Sequence, residues 1–251
     1  MELYYLAAGA TADGSVRFDA DESRHIARVM RHRPGEFVRA VDGQGMEYRV
    51  RLSEVTDSAV SGRVASAGPG QGEPRVRVTL AQGILKGDQL TEVVEAATEL
   101  GAVEVVPFRS ARTVGGYGPR RAARLRRVAL EAMKCSRRSV LPEVRDAVDL
   151  DGLAARCGDF GLALVAWEDE NEQVLSRALV GGPASVLVVV GPEGGLDRSE
   201  VELLREAGAR SFSLGPRPLR ARLAGAVALA SLMYVLGEVV PPGQVLAGKE
   251  V

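Results

Sequence analysis

Val186-Leu187-Val188-Val189-Val190 is an unbroken apolar run of five residues. A strand that meets solvent on one face alternates apolar with polar residues. An unbroken run of this kind instead suits a strand covered on both faces, as in a parallel sheet between layers of helices. The run stops at Gly191-Pro192-Glu193-Gly194-Gly195. Asp197-x-x-Glu200 then opens a helix with the pattern of a capping box, and Gly208 closes it. In open α/β sheets, ligands lie beyond the carboxyl ends of the strands. Glycine there lets a ligand approach the backbone closely. The loop has neither the Gly-Lys-Ser/Thr ending of a phosphate loop nor the GxGxxG spacing of a dinucleotide loop, which disfavours both ligands.

Strands and helices alternate around this unit. The patterns predict strands at 75–81, 103–107, 162–167 and 211–214, and helices at 87–100, 119–134 and 219–236. A second irregular loop, Leu214-Gly215-Pro216-Arg217-Pro218-Leu219-Arg220, follows the strand at 211–214. Two rigid loops after successive strands of one sheet predict a shared pocket. The first third of the chain reads differently. Short alternating runs at 37–41, 47–52 and 59–64 predict strands, with a hairpin turn at Asp42-Gly43-Gln44-Gly45 and one helix at 21–33. This is the pattern of a small β-barrel. Ala67–Pro74, rich in glycine and proline, is the expected boundary, giving domains 1–70 and 75–251.

Net charge is −1, so the whole chain carries no electrostatic signal for nucleic acid; its distribution does. Between Arg120 and Arg138 stand seven arginines and Lys134 against one acid, Glu131. Leu125, Val128, Ala129, Ala132 and Met133 mark the buried face of that helix, leaving Arg120, Arg121, Arg124, Arg127 and Arg138 for phosphate. Arg24, His25, Arg28 and Arg31 form a second basic group, with His25 equally readable as a packing residue. The cysteines, Cys135 and Cys157, stand alone and the only histidines are His25 and His32, so neither a disulfide framework nor a metal site is expected. The N-terminal stretch lacks the pattern of a signal peptide, and the apolar stretch Ala224–Val240 is short and interrupted for a membrane span. The expected location is the cytoplasm.

These motifs, taken in order, resemble the RsmE-type ribosomal RNA uridine-N3 methyltransferases of the SPOUT superfamily. The resemblance rests on Gly191–Gly195, then a helix, then Ser213-Leu214-Gly215-Pro216-Arg217 with Leu219-Arg220, and an alanine-rich helix. Upstream it extends to Lys86-Gly87-Asp88, Ala97–Gly101, Glu131-Ala132 with Ser136 and Arg138, and the segments His25–Arg31 and Asp42–Gly45. It implies an α/β fold: a SPOUT domain with a parallel sheet and a trefoil knot, a feature rare among proteins, after a PUA-like RNA-binding barrel. It implies a homodimer, and S-adenosylmethionine held by Ala166, Trp167, Glu168, Gly191, Pro192, Glu193, Gly194, Gly195, Leu214, Gly215, Leu219 and Arg220. The implied reaction is attack by uridine N3 of small-subunit ribosomal RNA on the sulfonium methyl group. Lys86 joins the RNA-binding set. Glu193 is a candidate base or orienting group and equally a cap of the following helix, and Arg220 a candidate partner of the target phosphate or uridine anion.

One departure stands out. The family usually continues Leu-Arg with Thr, then Glu or Ser, then Thr, whereas this chain reads Ala221-Arg222-Leu223. Three readings therefore remain open: an active enzyme on small-subunit rRNA, an active enzyme on another RNA, and a weak or inactive homologue that binds RNA.

Overall fold

The computed structural model describes residues 2–179 and 181–239. Val180 and the residues from Val240 onward, which the expected second domain includes, lie outside them. The chain divides into two compact units. One is Met1–Glu73 with Leu130–Leu141; the other is Pro74–Ala129 with Pro142–Val251. The first unit thus takes in a segment that a contiguous division into 1–70 and 75–251 gives to the second domain.

The first unit carries β1 (Leu3–Tyr5), β2 (Thr11–Ala12), β3 (Ser15–Arg17), α1 (Ala20–Arg24), β4 (Phe37–Val41), β5 (Met46–Val55) and β6 (Val60–Pro69). Its sheet runs in the order β1-β4-β5-β6-β3-β2 and is antiparallel except for the β1–β4 pair. Alternation decides what is inside. Val38, Ala40, Val50 and Leu52 are buried with Tyr4, Phe18 and Ile26, while Phe37, Arg49 and Arg51 face outward. Register shifts at Arg49/Val50 and Leu52/Glu54 add twist and curl the sheet round this core. The hairpin turn forms as expected: Asp42 Oδ1 accepts the backbone N–H groups of Gln44 (2.8 Å) and Met46 (3.1 Å). Gly43 and Gly45 adopt φ of +74° and +105°, values that cost a side chain dearly.

Two expectations for this unit need correction. The helix expected at 21–33 ends early: α1 passes into a π-helical turn, His25–Val29, and Arg31 has φ +56°. No single helix face therefore displays Arg24, Arg28 and Arg31. The expected linker is also partly structured, since β6 runs through Pro69. Its Glu73 accepts the backbone N–H groups of Ser139 (2.7 Å) and Val140 (3.0 Å) and the guanidinium of buried Arg138 (2.7 Å).

The second unit begins with β7 (Arg77–Gly83), α2 (Gln89–Glu99), β8 (Glu104–Arg109) and α3 (Pro119–Cys135), which from Leu130 onward belongs to the first unit. It continues through β9 (Glu143–Val144), β10 (Val148–Asp149), α4 (Leu150–Ala155), β11 (Leu162–Ala166), α5 (Leu175–Ala178), β12 (Ser185–Val190), α6 (Arg198–Glu206), β13 (Arg210–Phe212) and α7 (Ala221–Leu236). The sheet is parallel, in the order β10-β8-β7-β12-β11-β13, with β9 also beside β8. The apolar run at 186–190 is the strand β12, between β7 and β11. Leu187, Val189, Ala81 and Val165 meet Leu153, Leu196, Val201 and Leu204 on one face. On the other, Gly225 of α7 lies against Leu80 and Val93. Helix α6 carries the expected capping box, Asp197 with Glu200. Helix α7 starts at Ala221 rather than at Leu219, with Arg220 as its N-cap. Among the described residues no helix is long and apolar enough to cross a membrane.

Glu104 is buried in this sheet. It accepts hydrogen bonds from Arg145 (2.6 Å), Arg156 (2.9 Å) and Thr79 (3.0 Å). Burial pushes its carboxyl up, but those donors outweigh burial and hold it below the usual carboxylate range. The carboxylate therefore adds stability above the ordinary glutamate pKa, and that contribution is lost as the pH falls through the depressed value. Glu104→Gln is expected to cost about 2–3 kcal/mol at neutral pH. In urea melts over a range of pH, the gap from the parent protein closes in acid; a gap that persists unchanged there contradicts this account.

Candidate active site

The parallel register brings four strand ends level. Val190 pairs with Gln82 and with Ala166, and Ala166 with Phe212. The loops that leave β11, β12 and β13 therefore open at one end of the sheet and enclose a cavity of about 190 Å³. Ala166, Trp167 and Glu168 line it from the first loop, Gly191, Pro192, Glu193 and Gly195 from the second, and Leu214 to Leu219 from the third. Ala221 and Ala224 close it from the start of α7. The two loops singled out in the sequence share one pocket.

The walls are tight because glycines let backbone and side chains approach closely. A Cβ on Gly83 would stand 2.3 Å from Pro192 N, so the chain can pass there only because β7 ends in glycine. Buried Gln82 donates from Nε2 to Gly191 O (3.0 Å), and a Cβ on Gly225 would lie 2.7 Å from Gln82 Oε1. Gly195, at φ +71°, packs against the Glu168 carboxylate, which a Cβ would meet at 2.7 Å. Arg112 donates to Gly194 O (2.7 Å) and pairs with Asp197, tying the glycine loop to the segment that follows β8. Ala111 N–H donates to Glu200 Oε1 (2.7 Å). On the Trp167 ring lie the guanidinium groups of Arg205 and Arg198, at 5.3 and 5.9 Å from its centre.

Expected site residues distribute unevenly. Gly194 and Arg220 are outside the lining of the cavity. Gly194 is held by Arg112 instead, and Arg220 is exposed at the helix start, its carbonyl accepting from Leu223 (2.8 Å) and Ala224 (3.0 Å). Glu193 does not cap the following helix. Its Oε1 accepts the backbone N–H of Lys86 (2.8 Å) and faces Gln89 Nε2 (3.4 Å), while Asp197 and Glu200 cap α6. Of the departing residues, Ala221 lines the cavity; Leu223 points to solvent, and Arg222 pairs with Glu92 at 2.5 Å. The substitution at 222 is taken up by a surface ion pair.

Several arginines expected to meet phosphate have partners within the chain, some of them at the surface. Arg121 donates to the carbonyls of Leu85, Gly87 and Gly116. Arg124 pairs with Asp88, and Arg138 is buried against Glu73. Arg24 pairs with Asp21 and Arg28 with Asp57. His25 packs edge-on to Tyr4 and faces Glu2 at 3.2 Å, which favours the packing reading. Lys86, Arg31, Arg120 and Arg127 remain exposed.

Two family models match the chain. One describes an RNA methyltransferase domain, at residues 72–233; the other describes an RNA methyltransferase PUA domain, at residues 18–65. Ribosomal RNA small subunit methyltransferase E of Bacillus subtilis is 34% identical over 225 residues, spanning 85% of this chain and 88% of that protein. The chain belongs to this methyltransferase family. Two solved structures extend the likeness. A Legionella pneumophila protein described as a putative methyltransferase in complex with the cofactor SAM has a TM-score of 0.78 at 25% identity, over 93% of this chain and 97% of that one. The Neisseria gonorrhoeae small subunit methyltransferase E, bound to S-adenosyl methionine, shares the fold with a TM-score of 0.87 at 24% identity, over 96% and 100%.

Sequence reasoning missed Gln82, Gly83 and Arg112. The first two carried a usable signal, since Gln82-Gly83 ends the first strand of the same sheet, where a site belongs. Arg112 carried none, because its role depends on a contact across 82 residues. Gly83→Ala forces backbone against backbone. It is expected to lower stability by about 1–3 kcal/mol and to speed amide exchange at Gly191–Leu196; parental exchange rates in that loop contradict the steric argument.

Proposed function

We propose that this chain is a cytoplasmic S-adenosylmethionine-dependent methyltransferase acting on N3 of a uridine in small-subunit ribosomal RNA. The observation that carries the reading is the single cavity formed at the sheet's carboxyl end by the loops after β11, β12 and β13. Its walls suit the cofactor. Glycine, proline and apolar residues accept flat ring surface, Asn171, Ser213 and Arg217 add polar groups, and the carboxylates of Glu168 and Glu193 border the cavity and suit the cationic sulfonium. Ala166, Trp167 and Glu168, the glycine loop, Leu214, Gly215 and Leu219 would hold it. When bound, the cofactor supplies an already activated methyl group, so the chain's own task is alignment and exclusion of water.

In this reading Glu193 orients the loop that begins at Lys86 and stands at the cavity wall, where it accepts or steers the N3 proton. Arg220, outside the cavity lining, meets the target phosphate or the developing anion from the rim. Pairing of Arg222 with Glu92 leaves the cavity clear, which favours an active enzyme over a homologue that only binds RNA. The chain leaves the edge strand β13, and α7 returns to pack against Leu80 and Val93. This path supports the trefoil knot that the family resemblance implies. The small residues of α7 and the exposed Tyr234 and Leu223 support a homodimer.

Calorimetry with S-adenosylmethionine and methyl transfer from labelled cofactor to small ribosomal subunits, compared with naked RNA, test the assignment. Binding and transfer are expected. Glu193→Gln and Arg220→Ala should each slow transfer by tenfold or more, the scale of one acid–base or electrostatic contribution, while leaving RNA affinity close to parental. No heat of binding at millimolar cofactor refutes the enzyme reading; parental rates remove those two residues from the chemistry.

A further inference from the structure

The fold fixes the Glu168 carboxylate at the cavity wall and leaves it without a partner. A Cβ on Gly195 would stand only 2.7 Å from Glu168 Oε1, so the glycine, at φ +71°, makes room for the carboxylate. Both residues line the cavity. The loop that carries Glu168 is held from behind by Glu170. That carboxylate accepts the backbone N–H groups of Glu172 and Gln173 (both 3.1 Å), the Arg205 guanidinium (3.1 Å) and the Ser211 hydroxyl. Trp167 N–H donates to Phe212 O (3.1 Å) and Ser213 N–H to Gln173 O (2.8 Å), which ties down both ends of the loop. Among the described residues, Glu168 itself makes neither an ion pair nor a side-chain hydrogen bond. Glu193, the other acid in the lining, already accepts the Lys86 N–H. Arg217 is the one cation among the described lining residues, and it forms no ion pair with Glu168.

An unpaired carboxylate held in place attracts a cation and gains little from an uncharged group. Methyl transfer changes the charge of the ligand. The N3–C bond forms as the C–S bond breaks, and the N3 proton leaves, to Glu193 in the reading above. The sulfur keeps the electron pair of the broken bond and ends as an uncharged thioether. The donor therefore enters the cavity as a sulfonium and the product leaves without that charge. The glycine, proline and leucine walls meet the same adenosyl group in both, so they distinguish the two poorly. A fixed charge distinguishes them well. Because Glu170 orders the loop before any ligand arrives, little of the attraction is lost to ordering it.

We propose that Glu168 is the residue by which the cavity prefers the sulfonium donor to the demethylated thioether, so that loss of the charge favours product release. This rests on the function proposed above and assigns donor selection within that site to one side chain.

The test is calorimetry of the full chain with S-adenosylmethionine, S-adenosylhomocysteine and sinefungin, which carries an amine in place of the sulfonium. Trp167, the chain's single tryptophan, lines the same cavity, so its emission gives a second titration. Glu168→Gln keeps the size of the side chain and removes its charge. It is expected to weaken S-adenosylmethionine and sinefungin about tenfold, the scale of one hydrogen bond to a charged group. S-adenosylhomocysteine should bind the variant as it binds the parent. Added salt should narrow the parent's preference for the donor more than the variant's. In steady-state transfer, the variant should be inhibited at a lower ratio of product to donor. All three ligands share the amino-acid end. An equal loss for all three therefore means that Glu168 holds their common ammonium group or only shapes the loop, and it overturns the proposal. So does a ratio of donor to product affinity that the substitution leaves unchanged. No heat from any of the three with the parent refutes the cofactor reading and the proposal with it; heat with an unchanged ratio refutes the proposal alone.

Discussion

The close passage of Gly83 past Pro192 is the constraint on which the cavity depends. With any side chain at 83, the backbone leaving β12 would have to move away from β7. The buried amide of Gln82, which donates to Gly191 O, sets the loop's height above the sheet. Gly225 lets α7 press against that same amide. Two adjacent residues of one strand thus position a loop 108 positions further along, as in the Gln82–Val190 contact, and the helix after it. Close backbone approach of this kind needs glycine and tolerates little else.

Carboxylates do comparable work with the arginines. Glu104 gathers Arg145 and Arg156, and Glu73 gathers Arg138 with two backbone amides. Buried Glu22 takes Lys134 at 2.8 Å; burial pushes its carboxyl up, against the pull of the lysine. Removing one member of such a group strands the other without water, which is why these pairs constrain the fold even where their net contribution is small. The consequence for function is a sorting of cations. The basic stretch 120–138 spends most of its charge on the protein itself. Arg120 and Arg127 in that stretch, and Arg31, Arg49, Arg51 and Arg63 in the first unit, stay exposed.

Much of the candidate site was legible in the sequence because it is local. Val186–Val190 announced a buried parallel strand, Gly191–Gly195 a close-approach loop, and Asp197 with Glu200 a capped helix, each within a few residues. The same locality explains the errors. Helical spacing carried the first helix past His25, but a π-helical turn and the left-handed Arg31 end it. Gly-Pro composition made 67–74 read as a linker, although β6 pairing extends to Pro69 and Glu73 is an anchor.

By itself, the sequence determined the alternation of strands and helices around β12, the capped helix after it and two of the three loops that line the pocket. These follow from periodicity, β-branching, glycine and capping, which act over a turn or a strand. Tertiary structure alone decided that Glu193 faces Lys86 rather than its own helix, and that Arg112 clamps Gly194. It also decided that the segment 130–141 belongs with the first unit. Those outcomes depend on pairs separated by tens to more than a hundred residues, and a contact between distant residues leaves no periodic trace along the chain.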